Sequence, residues 1–160
     1  MPKLDTIYQV SEKAFQNEQE RMKNLTDKSE KYVGAIAVII GFQLLDIDKL
    51  KLSGNSACYN WLAVIGLIFL GIAFVSAVIS NRVQNYHSYP AGEKFLEILD
   101  DDKIDDASAT TALTTMYLTA LDINRSLNHN RAKLLSLSGN LIALGFTLIV
   151  IRYILERLVR

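Results

Sequence analysis

The chain has 160 residues, 50% of them apolar, and its 17 basic and 17 acidic side chains cancel. This length fits one compact unit, and the balanced charge provides no overall field for binding nucleic acid directly. Cys58 is the single cysteine, which excludes an intrachain disulfide and a cysteine-based metal site.

Residues 1–31 are polar and heavily charged, unlike a signal peptide with its basic start and apolar middle. Apolar side chains at Leu4, Tyr8, Phe15 and Met22 fall near one face of a helix. Neither proline nor glycine interrupts the chain from Lys3 to Tyr32. The pattern predicts a cytoplasmic helix over residues 1–31 that continues directly into the next segment.

Residues 32–45 form an uncharged run of about fourteen residues, which covers roughly 21 Å as a helix. This length allows a re-entrant or buried segment as well as a complete crossing. The long stems of Lys28 and Lys31 can reach toward lipid headgroups, and the next crossing needs an antiparallel partner. We therefore predict a first membrane span at 32–45, with residues 46–60 as a short connection.

A second span is predicted at 61–81. From Trp61 to Ile79 roughly nineteen consecutive residues carry no charge, which is close to the length that a hydrocarbon core requires. Tyr59 and Trp61 at one end suit a membrane interface, as do Asn81 and Arg82 at the other.

Residues 82–133 are predicted to form cytoplasmic helices. A turn at 86–92 precedes a short helix at 93–99, and an acidic run follows at 100–106. This run could bind a divalent cation, but it lacks the glycine and ligand spacing of an EF-hand loop, so a solvated turn is the simpler interpretation. Asp105 or Asp106 is a suitable N-cap for a long helix that continues unbroken toward Gly139.

The third span is predicted at 134–152, because Leu134 to Ile151 is a run of about eighteen uncharged residues bracketed by Lys133 and Arg152. The fold class that follows is an all-α integral membrane protein with about three transmembrane helices. Extensions of the first and last long helices would form its cytoplasmic helical bundle.

Basic residues predict the orientation of these spans. They are concentrated before the first span and between the second and third, which predicts a cytoplasmic N-terminus for a multi-pass membrane protein. Three crossings leave Arg152, Arg157 and Arg160 on the outer side, against this rule.

Small and polar residues within the spans are the first candidate site. Ser136, Asn140, Ala143 and Thr147 recur at steps of four, three and four and share one helix face, with Gly139 beside them. They could pack closely against another helix or line a water-filled pore between subunits. Packing is also the simpler role of Gln43 and of two pairs in the second span, Ala73/Ala77 and Ser76/Ser80.

A second candidate site combines basic side chains near the predicted cytoplasmic face of the membrane. They could hold an anionic ligand such as a nucleotide or a lipid headgroup, although ordinary positive-inside flanking explains them as well. The residues are Arg82, His87, Arg125, His129 and Arg131. The sequence contains no nucleotide-binding loop, catalytic constellation or zinc motif, so we expect neither enzymatic activity nor a cofactor.

Two segments resemble parts of small bacterial membrane effectors of antiphage defence. They are Glu18–Lys28, which leads into an apolar span, and Asn124–Lys133, which leads into the last span. The layout over most of the chain is similar to the transmembrane effector families of Pycsar, SLATT and CBASS systems. This resemblance implies a homo-oligomer in the bacterial inner membrane. It would permeabilise or depolarise that membrane on a signal from a cyclic nucleotide or a partner protein of the system, and the outcome would be abortive infection. A non-conducting membrane anchor that recruits a cytoplasmic partner is the alternative.

Overall fold

The computed structural model describes residues 2–45, 57–82 and 105–158. They form three helices: α1 (Pro2–Leu45), α2 (Ala57–Asn81) and α3 (Asp106–Leu158). Within these ranges only Arg82 and Asp105 lie outside a helix. The prediction of an all-helical protein is confirmed.

The two long helices are each continuous, as the absence of proline and glycine over residues 3–32 and 106–138 predicts. The glycines farther along each helix do not interrupt it. Asp105 is the N-cap of α3, because its carboxylate accepts a hydrogen bond from the Ser108 backbone N–H at 3.2 Å. Hydrogen bonds from the Ser108 side chain and backbone lower the pKa of Asp105. The predicted turn at 86–92, the helix at 93–99, His87 and most of the acidic run lie outside the described residues.

The chain divides into two compact units. Unit 1 comprises residues 1–24 and 83–130, and unit 2 comprises residues 25–82 and 131–160. In unit 1 the core forms where α1 meets α3: Phe15 and Tyr117 are buried, and their ring centroids lie 5.6 Å apart in an edge-to-face arrangement. Tyr8 packs against the other side of Tyr117 at 5.7 Å. Edge-to-face aromatic pairs of this kind stabilise a core beyond their buried area.

All three helices contribute to the core of unit 2, where Ile36 of α1, Leu70 and Ala73 of α2, and Ile149 of α3 are buried together. Two glycines of this unit lie in close contact. A Cβ placed on Gly145 would lie 2.8 Å from the carbonyl oxygen of Gly66, and one on Gly66 would lie 2.8 Å from that of Gly145. The backbones of α2 and α3 meet there because neither residue carries a side chain.

The side chains that α3 buries follow a regular repeat. From Asn124 onward the buried positions are separated by four, three or seven residues, a period of 3.5 that is typical of helices packed side by side as in coiled coils. The inward residues on this repeat include several polar side chains, namely Asn124, Asn128, Arg131, Ser138 and Arg152.

Among the described residues, two helices are long and apolar enough to cross a membrane: Tyr59–Asn81 and Asp106–Leu158. A soluble core helix passes the same test but is mostly buried, whereas only 33% and 22% of their most apolar windows are buried. Large apolar side chains such as Trp61, Ile68 and Leu144 are exposed. The segment 32–45 is not among these candidates, since α1 is too polar around its short uncharged run.

Candidate functional site

The four predicted residues Ser136, Asn140, Ala143 and Thr147, which we call the Asn140 face, are all exposed on α3. None of the four lies on the side of α3 that packs within this chain, so their contact with a helix of another subunit and their lining of a pore both stay predictions. The packing surface lies on the opposite side of α3, where Ser138 donates a hydrogen bond to the Ala73 carbonyl at 2.9 Å. Two sides of α3 carry small residues at helical spacing, so spacing alone does not show which side packs and which side is exposed.

The other predicted packing residues contact neighbouring helices. A Cβ on Gly139 would lie 2.8 Å from the Tyr32 hydroxyl, so this glycine lets a tyrosine of α1 approach. Gln43 is buried, and its amide nitrogen lies 3.5 Å from the Tyr153 hydroxyl. The two small-residue pairs of the second span, Ala73/Ala77 and Ser76/Ser80, are buried as well.

A polar cluster closes the C-terminal end of α2. The last carbonyls of a helix lack intrahelical partners and need other donors. Ser29 of α1 donates to the Ala77 carbonyl at 2.8 Å, and Arg131 Nε of α3 donates to the Ser80 carbonyl at 2.6 Å. A second guanidinium nitrogen of Arg131 donates to Thr26 Oγ1 at 2.9 Å. A cation at this position also suits the negative end of the helix dipole.

This cluster corrects the prediction that Arg131 faces an anionic ligand. Its side chain is 4% exposed and its guanidinium is bonded to groups of the same chain. The physical reason is the 3.5-residue repeat of α3, which turns position 131 inward. Arg131 therefore has a structural role at the end of α2.

We expect Arg131→Met to destabilise the protein by about 2–3 kcal/mol, because the Ser80 carbonyl and the Thr26 hydroxyl lose a charged donor. The matched change Arg125→Met removes an exposed arginine of the same helix and should cost less than about 0.5 kcal/mol. Thermal unfolding of both variants in the same detergent measures the difference. Equal midpoints would contradict the assigned role of Arg131.

Two other residues of the predicted anion site do come together. Arg125 and His129 of α3, with Arg21 of α1, line an open groove of about 370 Å³ in unit 1. Ser126 and Asp122 complete its wall, and we call it the basic groove. Arg82 is exposed in unit 2 and is not part of this groove.

A buried pair positions Arg21 in the basic groove. Glu18 accepts a hydrogen bond from the buried Asn128 amide at 2.8 Å and from Arg21 Nη1 at 3.1 Å. The Asn128 amide also donates to the Glu18 backbone carbonyl at 3.0 Å. The Glu18 carboxylate therefore holds the Arg21 guanidinium beside the groove. The hydrogen bonds from Arg21 and Asn128 partly compensate the negative charge of Glu18. The sequence pattern did not indicate Glu18, Arg21 or Asn128 as site residues, because only the fold brings positions so far apart in the chain together.

Arg152 is a further buried cation, which the sequence indicated only as a flank of the third span. Its side chain is 1% exposed and lies 3.4 Å from Glu156, while its guanidinium stacks on Tyr153. Among the described residues, neither Nε nor Nη1 of Arg152 has a hydrogen-bond partner. Buried guanidinium donors without acceptors are costly in free energy. Two N–H groups of Arg152 could therefore still donate hydrogen bonds to an acceptor at this end of unit 2.

The described helices thus define an all-helical protein with two candidate membrane-spanning helices. No family model, no curated protein and no solved structure matches this chain.

Proposed function

We propose that this chain is a membrane effector of bacterial antiphage defence, which self-associates and permeabilises or depolarises the inner membrane on receiving a signal. The observation that carries the proposal is the exposed Asn140 face on a helix otherwise apolar enough to cross a bilayer. Asn140 lies within about 4 Å of the middle of the uncharged run 134–151, given 1.5 Å per helical residue.

An amide at that depth is unfavourable in contact with lipid, because hydrocarbon offers it no hydrogen-bond partner. A second copy of the same helix supplies one, since an asparagine can donate to and accept from its symmetry mate. When several copies surround an axis, the same side chains line a polar path across the bilayer. Self-association and permeation therefore follow from one arrangement of residues.

The membrane assignment is supported by the outward surfaces of α2 and α3, which carry exposed large apolar side chains. In this proposal residues 32–45 of α1 also cross the membrane, as the predicted first span, because Ile36 packs in the same core as Leu70 and Ile149. The basic residues concentrated before the first span and between the second and third support a cytoplasmic N-terminus.

The defence role rests on the resemblance in layout to the membrane effectors of antiphage systems. The signal would be a cyclic nucleotide or a partner protein of the system, and the basic groove of unit 1 is the candidate receiving surface because Arg21, Arg125 and His129 converge there. A phage challenge of cells carrying the native gene neighbourhood tests this part: deletion of this gene should abolish protection.

The alternative is a non-conducting anchor whose cytoplasmic unit recruits a partner. The same basic groove favours it, since a partner with acidic residues could bind there without any opening of the membrane. A depolarisation assay on liposomes separates the two functions, because an anchor leaves the membrane potential unchanged.

Asn140→Leu should abolish toxicity and depolarisation while leaving expression unchanged, because the central polar group of the proposed path is lost. Asn140→Gln, which keeps the amide, should retain part of the activity. Phe146→Leu is a matched control at an exposed apolar position on another side of α3 and should behave as the parent chain. Undiminished toxicity of Asn140→Leu would contradict the pore-lining role.

A further inference from the structure

Unit 2 carries an unequal distribution of charge. Its described residues include seven basic side chains and three carboxylates. On α3 no carboxylate occurs between Asp122 and Glu156, whereas Arg131, Lys133 and Arg152 all lie in that interval. The candidate span of α3 is therefore bordered by positive charge at both ends.

Two of these cations are buried in the helix packing. Arg131 and Arg152 are 4% and 1% exposed, and 21 residues separate them. Along a helix this separation is about 31 Å, close to the thickness of a hydrocarbon core. Both lie on the inward repeat of α3, one near each predicted interface.

Neither charge is fully compensated by its neighbours. The Arg131 hydrogen bonds go to a carbonyl and a hydroxyl, which are neutral groups. Arg152 has the Glu156 carboxylate at 3.4 Å, yet two of its nitrogens have no acceptor among the described residues. In a medium of low dielectric constant such charges act over more than one helix diameter.

The third cation lies on the Asn140 face itself. Lys133 is exposed, and it precedes Ser136 by three residues and Asn140 by seven. These steps place it on the same side of α3, at the cytoplasmic end of the proposed path. A ring of subunits would repeat this ammonium group around the entrance.

We propose that the path opened by this protein selects anions over cations, and that small inorganic anions of the chloride class are its permeant ions. This inference rests on the proposed function. A cation entering the path meets the fields of Lys133, Arg131 and Arg152, of which, in the described part of the chain, only Arg152 has a carboxylate beside it, that of Glu156. An anion is stabilised by the same fields as it loses water, as in pores that carry rings of arginine or lysine.

Reversal potentials of the reconstituted full-length chain in planar bilayers under a tenfold KCl gradient test the proposal. We expect the parent chain to reverse close to the chloride equilibrium potential. Lys133→Glu reverses the charge at the entrance, and Arg152→Gln removes the buried cation beside Glu156. Each should shift the reversal potential toward the potassium equilibrium potential. Lys31→Glu makes the same charge change at an exposed site of α1 and should leave it unchanged.

A parent current that reverses near zero or near the potassium potential overturns the selectivity while leaving membrane permeation intact. A chloride-selective current that neither Lys133→Glu nor Arg152→Gln shifts overturns the assignment to these cations. Complete absence of current from folded protein, both alone and with a cyclic nucleotide added, refutes the proposed function and the selectivity together.

Discussion

Gly145→Leu is expected to separate α2 from α3 and to destabilise unit 2 by at least about 1–3 kcal/mol, the range measured for overpacked interiors. A Cβ at position 145 meets the Gly66 carbonyl oxygen at 2.8 Å and the Leu70 Cγ at 3.0 Å. Leu70 can change its side-chain conformation, but the Gly66 oxygen belongs to the backbone of a helix. Relief of the clash therefore requires that whole helices move apart, which also weakens the buried contacts of Leu70 and Ile149.

Gly71→Leu is the matched control, because a Cβ at Gly71 has no heavy atom within 4 Å. This change should be neutral or stabilising by up to about 1 kcal/mol, since leucine favours a helix more than glycine does. Thermal unfolding in detergent, followed by the fluorescence of the single tryptophan, Trp61, compares the two variants in unit 2. A midpoint of Gly145→Leu equal to that of Gly71→Leu would contradict the close crossing.

Gly66→Leu should have a similar effect, since it fills the same contact from the opposite helix. Because both changes break one contact, their costs should not add, and the double variant should be less destabilised than the sum of the single ones. Additive costs would mean that the two glycines act at separate places.

The helices could be predicted from the sequence because their signals are local. The absence of proline and glycine over long stretches predicted that α1 and α3 are continuous, and the Asp105 N-cap has a local sequence signature. The long uncharged runs likewise marked the two helices that are apolar enough to span a membrane. These features depend on neighbours within a few residues along the chain.

The side of α3 that packs could not be predicted, because a helix with apolar residues all around gives no amphipathic contrast. Its inward positions hold Ser138, Gly145 and Arg152, while large apolar side chains such as Leu144 are exposed. The periodicity of apolar residues therefore indicates no preferred side, and the small residues of the Asn140 face fit a packing surface equally well. The signal that indicates the inward side is the 3.5-residue recurrence of Asn124, Asn128 and Arg131.

The contacts between distant parts of the chain could not be predicted for a different reason. The Glu18–Asn128 hydrogen bonds join positions separated by 110 residues, and their existence depends on the register of α1 against α3. One residue of slip would place a different side chain opposite Asn128. A single sequence carries no direct record of this register, so nothing in it marks Arg21 as a member of the basic groove.

Phe15→Ala is expected to cost about 3–5 kcal/mol, as for other large aromatic side chains removed from a core. Phe15 is fully buried, and its loss leaves a cavity and removes the edge-to-face partner of Tyr117. Unit 1 is built on few large side chains among its described residues, so no neighbouring aromatic group can fill the space without abandoning its own contact. Tyr8 already packs on the other side of Tyr117.

Hydrogen exchange of the backbone amides in residues 105–124 measures this loss within unit 1, where Phe15→Ala should lower the protection of α3. Ile7→Ala shortens a side chain of the same helix that is 52% exposed, and it should change protection by less than about 0.5 kcal/mol. Equal protection of the amides of residues 105–124 in the Phe15→Ala and Ile7→Ala variants would contradict this role. The cluster of Tyr8, Phe15 and Tyr117 would then not be the core of unit 1. If protection falls as expected, the basic groove should lose its shape as well, because the same pair of helices holds Arg21 beside Arg125.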